Sequence, residues 1–437
     1  MDEKNRKPGR GPGPRVMVVI PPTRIHRNRD IGFKELLPHI GVAYVSAAFE
    51  NAGCDVRVVD SVAENLTLDH LMARLREFRP QILGLTASTY QIHESAAVAA
   101  AARRADPDAH ILLGGYHVSA LPRRTLEEFP DFDTAVYGEA EATVAEFIRR
   151  WTVGEDIRTV DGTAARMPHG IALNPPRTAP QDLDALPFPA FHLMPLDKYR
   201  GFYSMRAARE RPLTVCTARG CPYHCIFCFK STGSKYRMRS VDNVMQEMDR
   251  IMDRFHPTQI VFTDEIFTFD KKRTLEFCER MIDSGYHERL HWICQDRVDL
   301  ADAATLRAMK RAGCTTVSYG IESGSQDIIK SIRKNFKLKQ AYEAIRLTRE
   351  AGIWADTNFI IGHPGETPET VRQTIDFAIS LDPDSTSFAI LCPFPGTEVA
   401  RMAAAGQGGL RLLSEDWTTY GKQVGEAYSK NTIVSPT

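Results

Sequence analysis

Short runs of consecutive apolar, largely β-branched residues alternate with longer stretches whose apolar positions recur at helical spacing, and this alternation occurs twice along the chain. In the first half the runs fall at residues 15–20, 55–60, 82–85, 110–113 and 134–136, each too short for a buried helix and suited to a buried strand. Between them, residues 41–52, 68–78, 95–104 and 141–151 carry the spacing of amphipathic helices. Strands and helices in strict turn predict a parallel sheet covered on both faces. Residues 15–151 therefore read as an α/β domain of the Rossmann-like, doubly wound class. In such a sheet a ligand belongs beyond the carboxyl ends of the strands. Ahead of it, residues 1–14 are rich in Lys, Arg, Gly and Pro and read as a mobile tail.

The pattern then dissolves. Residues 152–211 hold Pro168, Pro175, Pro176, Pro180, Pro187, Pro189 and Pro195 and read as a linker of turns between two domains. A second alternation starts with a strand at 213–216 and continues with strands at 259–263, 291–294, 316–319, 356–361 and 386–391. Helices at 241–255, 273–284, 303–312, 339–351 and 369–380 separate them. Six such units fall short of the eight that close a full barrel. Residues 212–395 accordingly read as a partial, open (β/α)6 barrel of the TIM type, with 396–437 as a carboxyl-terminal extension. No repeat points to a solenoid.

Composition narrows the partners. The chain carries 55 Lys and Arg against 55 Asp and Glu, a balance that argues against nucleic acid, which calls for a basic domain. No apolar run approaches the roughly 18 residues that span a bilayer. The start, Met1-Asp2-Glu3-Lys4-Asn5, has no apolar segment behind it and does not read as a signal peptide. Nine cysteines without an export signal imply a reducing, cytoplasmic setting, where thiols serve as metal ligands or core residues rather than disulfides.

The chemistry concentrates in Arg219-Gly220-Cys221-Pro222-Tyr223-His224-Cys225-Ile226-Phe227-Cys228, just after the first strand of the second half. Thiolates are soft ligands suited to iron–sulfur clusters and zinc. A C-x3-C-x2-C spacing lets one short loop hold three corners of a cubane and leaves the fourth iron without a protein ligand. For nine cysteines in a chain of this length the chance of that spacing is on the order of 0.004. A zinc site would want a fourth protein ligand nearby, for which Cys216 and His224 are the candidates.

These residues resemble the signature of the radical S-adenosylmethionine (SAM) superfamily, which has this spacing with an aromatic before the last cysteine, here Phe227. The resemblance covers residues 213–391. It implies a 4Fe–4S cluster on Cys221, Cys225 and Cys228, SAM chelating the open iron, and one-electron cleavage of SAM to the 5′-deoxyadenosyl radical. Further matches lie at successive strand ends. Thr263-Asp264-Glu265 ends the second strand, where the family places polar groups for the SAM amine. Arg297 follows the third, where a cation meets the methionyl carboxylate. Gly320-Ile321-Glu322-Ser323 ends the fourth and offers Glu322 to the ribose or amine. The stretch from Asn358 to Glu366 ends the fifth, and its Ile361 and Gly362 match the family's backbone contacts to adenine. Without the resemblance, Asp264 or Glu322 reads as a cap on the next helix.

Radical SAM enzymes with an amino-terminal Rossmann-like domain resemble the cobalamin-dependent branch, and three loops after strands fit it. Gly84-Leu85-Thr86-Ala87-Ser88 offers Thr86 and Ser88, small enough for a nucleotide tail to approach. Gly114-Gly115-Tyr116-His117-Val118 is similar to the family's GG-x-H segment and implies cobalamin contacts from Gly114, Gly115, His117 and Val118. Tyr137-Gly138-Glu139-Ala140-Glu141 is similar to its G-E-G-E stretch, with Ala140 in place of a glycine, and implies contacts from Gly138 and Glu139. As residues alone, these glycines permit tight turns before helices. Methylthiotransferases share the domain order but need three extra cysteines in the first domain, which holds Cys54 alone. Proteins that put a histidine on cobalt carry D-x-H-x-x-G after the first strand. Residues 21–32 lack it, and Asp108-Ala109-His110 precedes the fourth strand with Leu113 at the glycine position. Cobalamin is expected with its dimethylbenzimidazole tail displaced and no histidine on the metal.

The resemblance thus implies a cobalamin-dependent radical SAM methyltransferase acting on an unactivated carbon, or a phosphinate phosphorus, of a small-molecule biosynthetic intermediate such as a natural-product precursor. One SAM would methylate cob(I)alamin and another would supply the radical. The alternatives are a cyclase or ring-contracting enzyme of the same branch and, in a different class, a non-catalytic iron–sulfur sensor. A reducing partner such as flavodoxin or ferredoxin is implied; no residue is assigned as acid, base or nucleophile. Cys278, Cys294, Cys314 and Cys392 sit among apolar residues and read as core, and Cys216 as strand packing. The cation run Arg200, Arg206, Arg209, Arg211, Arg219, Lys230, Lys235, Arg237 and Arg239 reads either as a site for an anionic substrate or acidic donor, or as a solvated face. Trp417 and Tyr420 lie in a polar tail without an assigned role.

Overall fold

The computed structural model describes residues 13–22, 36–201 and 210–420. Most of the tail at 1–14, most of the loop at 21–32, Arg206, Arg209 and the end of the extension lie outside the described residues.

In the first unit, β1 (Arg15–Ile20), α1 (Ile40–Asn51), β2 (Asp55–Asp60), α2 (Leu68–Phe78), β3 (Ile82–Thr86), α3 (Ile92–Ala105) and β4 (His110–Gly114) follow the expected alternation. Two short helices, α4 (Tyr116–Ala120) and α5 (Pro122–Glu128), then precede β5 (Thr134–Val136) and α6 (Glu141–Val153). Helices this short show no periodicity in sequence, which is why they were not anticipated. The strands pair in the order β2-β1-β3-β4-β5, all parallel. β1 and β3 are buried along nearly their whole length, so they read as continuous apolar runs rather than alternating ones. The chain reverses direction across the sheet between β1 and β3, and the crevice beyond their carboxyl ends is the place a ligand occupies in such a sheet.

The stretch read as a linker is not all turns. β6 (Thr163–Met167) and β7 (Gly170–Leu173) form an antiparallel hairpin that extends the same sheet past β5, and the unit runs on to Thr178 and resumes at Leu186–Lys198. Pro168 in the turn and Pro175 and Pro176 after it concealed the hairpin. The edge strand β7 is only half covered, and its apolar run is just Ile171-Ala172-Leu173.

The second unit opens with β8 (Pro212–Val215) and an antiparallel pair, β9 (Ala218–Arg219) and β10 (Arg237–Met238), which brackets the cysteine loop. There follow α7 (Val241–Phe255), β11 (Gln259–Phe262), α8 (Lys271–Asp283), β12 (His291–Asp296), α9 (Ala303–Arg311), β13 (Cys314–Glu322), α10 (Gln326–Ser331), α11 (Leu338–Glu350), β14 (Trp354–Ile361), α12 (Pro368–Leu381), β15 (Ser385–Ile390) and α13 (Glu398–Ala404). Six parallel strands lie in chain order, β8-β11-β12-β13-β14-β15, which is the winding of a barrel left open. Phe262 and Trp292 pack with Phe267 and Phe277 on the helical side, where the Tyr319 hydroxyl also meets Thr348 of α11 at 2.8 Å.

Register puts the other face inside. Gln295, Ser318, Asp356 and Ser385 stand abreast, as do Gly320, Asn358 and Ser387. Ser318 and Ser385 donate to Asp356 at 2.6 and 2.5 Å, and Asn358 donates to Ser318 at 2.8 Å. The inner wall is polar. Beyond β15, Trp417 and Tyr420 are buried with ring centroids 5.1 Å apart, so this part of the extension packs instead of forming a polar tail. Among the described residues no helix is long and apolar enough to cross a membrane.

Candidate functional site

Gly220 turns the chain into the cysteine loop at a φ of +89°, and a Cβ there would stand 2.2 Å from the Lys235 carbonyl oxygen. Only glycine fits this approach. The Cys221 amide donates to Gly233 at 3.3 Å and the Cys228 amide to Cys225 at 3.2 Å. Ile226, buried between the second and third cysteines, donates to Ile332 at 3.2 Å and accepts from Val399 at 3.1 Å, which pegs the loop to the barrel. Cys221 and Cys225 are half-buried, Cys228 is exposed, and none of the three is in a disulfide. Burial pushes the Cys225 thiol up, while the Lys334 ammonium and the Arg297 guanidinium pull it back down.

The donor set fits a cluster better than a single ion. Among the described residues no three His, Cys, Asp or Glu side chains converge tightly enough to hold one metal ion. Cubane ligands need not converge, because each thiolate takes a different iron. The two candidate fourth ligands for zinc are engaged elsewhere: Cys216 donates to Ala218 at 3.2 Å and burial pushes its thiol up to about 12, and His224 is exposed beside Lys230 at 3.4 Å.

Three members of the cation run are not on the surface, whereas Arg200, Arg211 and Lys235 are exposed. Arg219, Arg237 and Arg239 are 7%, 5% and 4% exposed. Arg237 donates to the carbonyls of Pro180 and Thr232, Arg239 to Cys216 and to the buried Glu247, and Arg211 to His256. A rigid fork of donors can satisfy several carbonyls of an irregular loop at once, and that is their use here.

The strand ends carry further charges. Asp264, after β11, accepts from the Thr217 amide at 2.6 Å and from the Thr217 hydroxyl, and burial lifts its carboxyl to about 6. It ties down the segment leading into the cysteine loop. Glu265 beside it is exposed and accepts from the Thr232 hydroxyl at 2.7 Å. Arg297, after β12, is buried; it donates to Asp299 at 2.9 and 3.1 Å and to the Lys334 carbonyl at 2.7 Å, with its guanidinium 3.6 Å from the Tyr223 ring centroid. Glu322 ends β13 at a φ of +74° and pairs with Lys334 at 2.7 Å.

At the end of β14, Ile361 is half-buried and Gly362 turns at a φ of +100°. The Gly362 and His363 amides donate to the Glu366 carboxylate, the latter at 3.2 Å. The His363 ring, 1% exposed, lies 5.6 Å from the Phe227 ring. Cys225, Phe227, Arg297, Glu322 and His363 are thus brought together, whereas Asp264 is engaged with Thr217. Tyr223, Lys334 and His363 escaped the sequence reading. Tyr223 and His363 lie inside recognised segments, but Lys334 sits in Arg333-Lys334-Asn335, which carries no motif.

In the first unit the three expected loops meet. The Ala87 amide donates to Gly114 at 3.0 Å, and a Cβ on Gly115, at a φ of +107°, would stand 2.5 Å from the Ala87 carbonyl oxygen. Ser119 accepts from the Gly138 amide at 3.1 Å, and the Ser88 hydroxyl meets Gln91 at 2.7 Å. Glu139 is half-buried on the same rim, while Val118 is buried beneath it. His117 is fully buried and Tyr116, one residue earlier, is 58% exposed, because successive side chains of a helix point about 100° apart.

Burial holds the His117 imidazole down to about 4. The unfolded chain therefore takes up a proton near pH 6.5 that the folded chain refuses. The resulting stability is present above about pH 6.5 and is lost as pH falls toward about 4, costing about 2 kcal/mol at about pH 5. His117→Gln should lose that share of the acid sensitivity, measured as the shift in unfolding midpoint between about pH 7.5 and about pH 5. An unchanged shift would mean the ring is not buried in its neutral form.

Comparison with known proteins agrees with both halves. A family model described as the B12 binding domain matches residues 31–148, and one described as the radical SAM superfamily matches residues 215–378. An uncharacterized methyltransferase of Pyrococcus horikoshii is 33% identical over 409 residues, which is 93% of this chain and 86% of that protein. The anaerobic magnesium-protoporphyrin IX monomethyl ester cyclase of Cereibacter sphaeroides is 29% identical over 85% of this chain and 62% of its own. Among solved structures, the radical SAM methyltransferase TsrM of Kitasatospora setae, with cobalamin and a 4Fe–4S cluster bound, matches with a TM-score of 0.74 at 20% identity, over 92% of this chain and 78% of that one. Through both of its domains, then, the chain belongs to the radical SAM enzymes that carry an amino-terminal B12-binding domain, the cobalamin-dependent branch of that superfamily.

Proposed function

We propose that this protein is a cobalamin-dependent radical SAM methyltransferase that places a methyl group on an unactivated carbon, or a phosphinate phosphorus, of a small molecule. The observation that carries the reading is the loop of three cysteines, none in a disulfide, after β8, pegged to the barrel through Ile226 and set against the charged ends of β12 and β13. When bound, the cluster, SAM and cobalamin supply an electron, a carbon-centred radical and a transferable methyl group.

The chain's own part is to hold and to shield. Cys221, Cys225 and Cys228 take the cluster, and Phe227 walls it against His363. Glu265, Glu322, Arg297, Ile361 and Gly362 surround the place for SAM, with Asp264 positioning the loop from behind. Thr86, Ser88, Gly114, Gly115, Val118, Gly138 and Glu139 form the rim for cobalamin, to which the exposed Tyr116 is added. The burial of the His117 ring supports cobalamin bound tail-displaced without a histidine from this segment. A triplet superhyperfine splitting from one coordinated nitrogen, in paramagnetic resonance of bound cobalamin with cobalt(II), would overturn that arrangement. The polar inner wall of the barrel, from Gln295 to Ser387, suits a small substrate with hydrogen-bonding groups. Exposed Cys228 and Lys235 offer the face for a cytoplasmic reducing protein such as flavodoxin or ferredoxin.

The test is mass spectrometry of candidate substrates with SAM labelled on its methyl group. Gain of one labelled methyl supports the proposal. The similarity to the ester cyclase favours a second reading, ring closure, which would show loss of hydrogen and no label.

A further inference from the structure

We propose that the ion pair between Arg333 and Glu398 is a clasp that sets the cysteine loop, both residues acting as positioning residues for the cluster. It fastens together the two backbone groups that hold Ile226 between the second and third cysteines. This deepens the functional reading above and rests on it.

The geometry is a closed ring. The Ile226 amide donates to the Ile332 carbonyl at 3.2 Å, and the Ile226 carbonyl accepts from the Val399 amide at 3.1 Å. Arg333 follows Ile332 and Glu398 precedes Val399, and these two meet side chain to side chain, with Nη1 and Nη2 each 2.7 Å from a carboxylate oxygen. The cysteine loop, the end of α10 and the start of α13 are thus closed on one another. Ile226, Ile332 and Val399 are 4%, 0% and 0% exposed, so the ring opens to water only at the ion pair.

Planarity turns a hold on Ile226 into a hold on the cysteines. A peptide unit is rigid, so fixing the Ile226 amide fixes the Cys225 carbonyl, and fixing the Ile226 carbonyl fixes the Phe227 amide. The Cys225 carbonyl accepts in turn from the Cys228 amide at 3.2 Å. Both peptide planes between Cys225 and Phe227 are set, and with them the span over which Cys225 and Cys228 take two irons of a cluster.

The helix ends supply the pegs. Ile332 closes α10 and Val399 lies in the first turn of α13, places where a carbonyl and an amide have no partner in their own helix. One residue of the loop satisfies both. Arg333 then takes the left-handed turn that ends α10, at a φ of +57°, with the Lys334 amide reaching back to Ile329 at 3.1 Å. Glycine is the usual residue in that turn, because it adopts it without steric cost. An arginine there points to a use for its side chain, and the use the structure shows is Glu398.

Exposure separates positioning from stability. The Arg333 and Glu398 side chains are 51% and 32% exposed, and an ion pair so open to water contributes little to global folding. Its removal should loosen the loop without unfolding the unit.

The experiment uses the full chain, both cluster-free and reconstituted anaerobically with iron and sulfide. The variants are Glu398→Gln, Arg333→Gln and the swap Arg333→Glu, Glu398→Arg. Hydrogen exchange of the cluster-free protein reads the ring itself. Exchange around Ile226 and Val399 is expected to quicken roughly 2- to 5-fold in either single variant, the range an exposed ion pair commands, with α12 unchanged. In the reconstituted protein, iron release to a chelator should quicken by a similar factor while the denaturant midpoint stays at the wild-type value. The swap should bring both rates back to within about twofold of the wild type. Unchanged exchange and iron release in both single variants overturn the proposal. So does a fall in midpoint large enough to account for the faster release, which would make the pair a matter of stability alone. No recovery in the swap also overturns it, because each residue would then matter for itself and not as a clasp. A wild-type chain that takes up no iron would instead overturn the functional reading, and the exchange result would still decide whether the ring is fastened by this pair.

Discussion

Cys225→Ala, reconstituted anaerobically with iron and sulfide, should lose 5′-deoxyadenosine formation down to background, with iron per chain falling alongside it. Cys225 is the middle thiol of the loop; burial raises its thiol, and Lys334 and Arg297 offset part of that rise. A cubane missing one of three protein ligands has two open irons and is labile. Cys278→Ala and Cys392→Ala should retain the activity, because those thiols are buried in the core, 1% and 7% exposed. Chromatography of the reaction products and an iron assay decide the matter. Full SAM cleavage by the Cys225 variant would remove the cluster from this loop.

Arg239→Met should destabilise the second unit by about 3–5 kcal/mol, the cost of leaving one partner of a buried ion pair uncompensated. Arg239 and Glu247 are 4% and 2% exposed in their side chains, and burial raises the Glu247 carboxyl while Arg239 draws it down. The same arginine donates to the Cys216 carbonyl at 3.0 Å and to Asn243 at 2.7 Å, so it braces the entry to the cysteine loop from below. Denaturant titration should show the loss. The double variant Arg239→Met, Glu247→Met should recover most of it, because two apolar side chains of similar volume leave no charge stranded. If the double variant were as unstable as the single one, the strut to Cys216 and not the ion pair would be what matters.

Much of the candidate site was legible in the sequence because its chemistry is written at short range. The three cysteines, Phe227 between the last two, and Gly220 ahead of them are one segment, and a spacing within a segment survives any tertiary arrangement. The loops at Gly114-Gly115 and Gly138 were legible for the same reason: a left-handed turn next to a strand end needs glycine wherever the domain folds. Arg297 and Glu322 were found at strand ends, but their partners were not. Asp299 is near in sequence, whereas Lys334 reaches Glu322 across twelve residues and a helix, and Tyr223 reaches Arg297 from another strand's loop.

The chain's spacing alone determined the alternation of strands and helices, the two α/β domains and the cysteine loop, since each follows from periodicity and residue type over a few neighbouring positions. Only the tertiary structure decided the rest. The hairpin β6–β7 joins the first sheet through pairing with β5, a contact distant in sequence, and its edge strand is short and only half covered. Arg237 and Arg239 look like a charged surface until the loops whose carbonyls they satisfy fold over them. His117 turns inward and Tyr116 outward by the phase of a helix too short to announce itself. Lys334 becomes a buried cation only because the end of β13, where Gly320 leaves room and Glu322 supplies the partner, meets it across an intervening helix. Burial and pairing are properties of the assembled neighbours, and a local pattern of residues does not contain them.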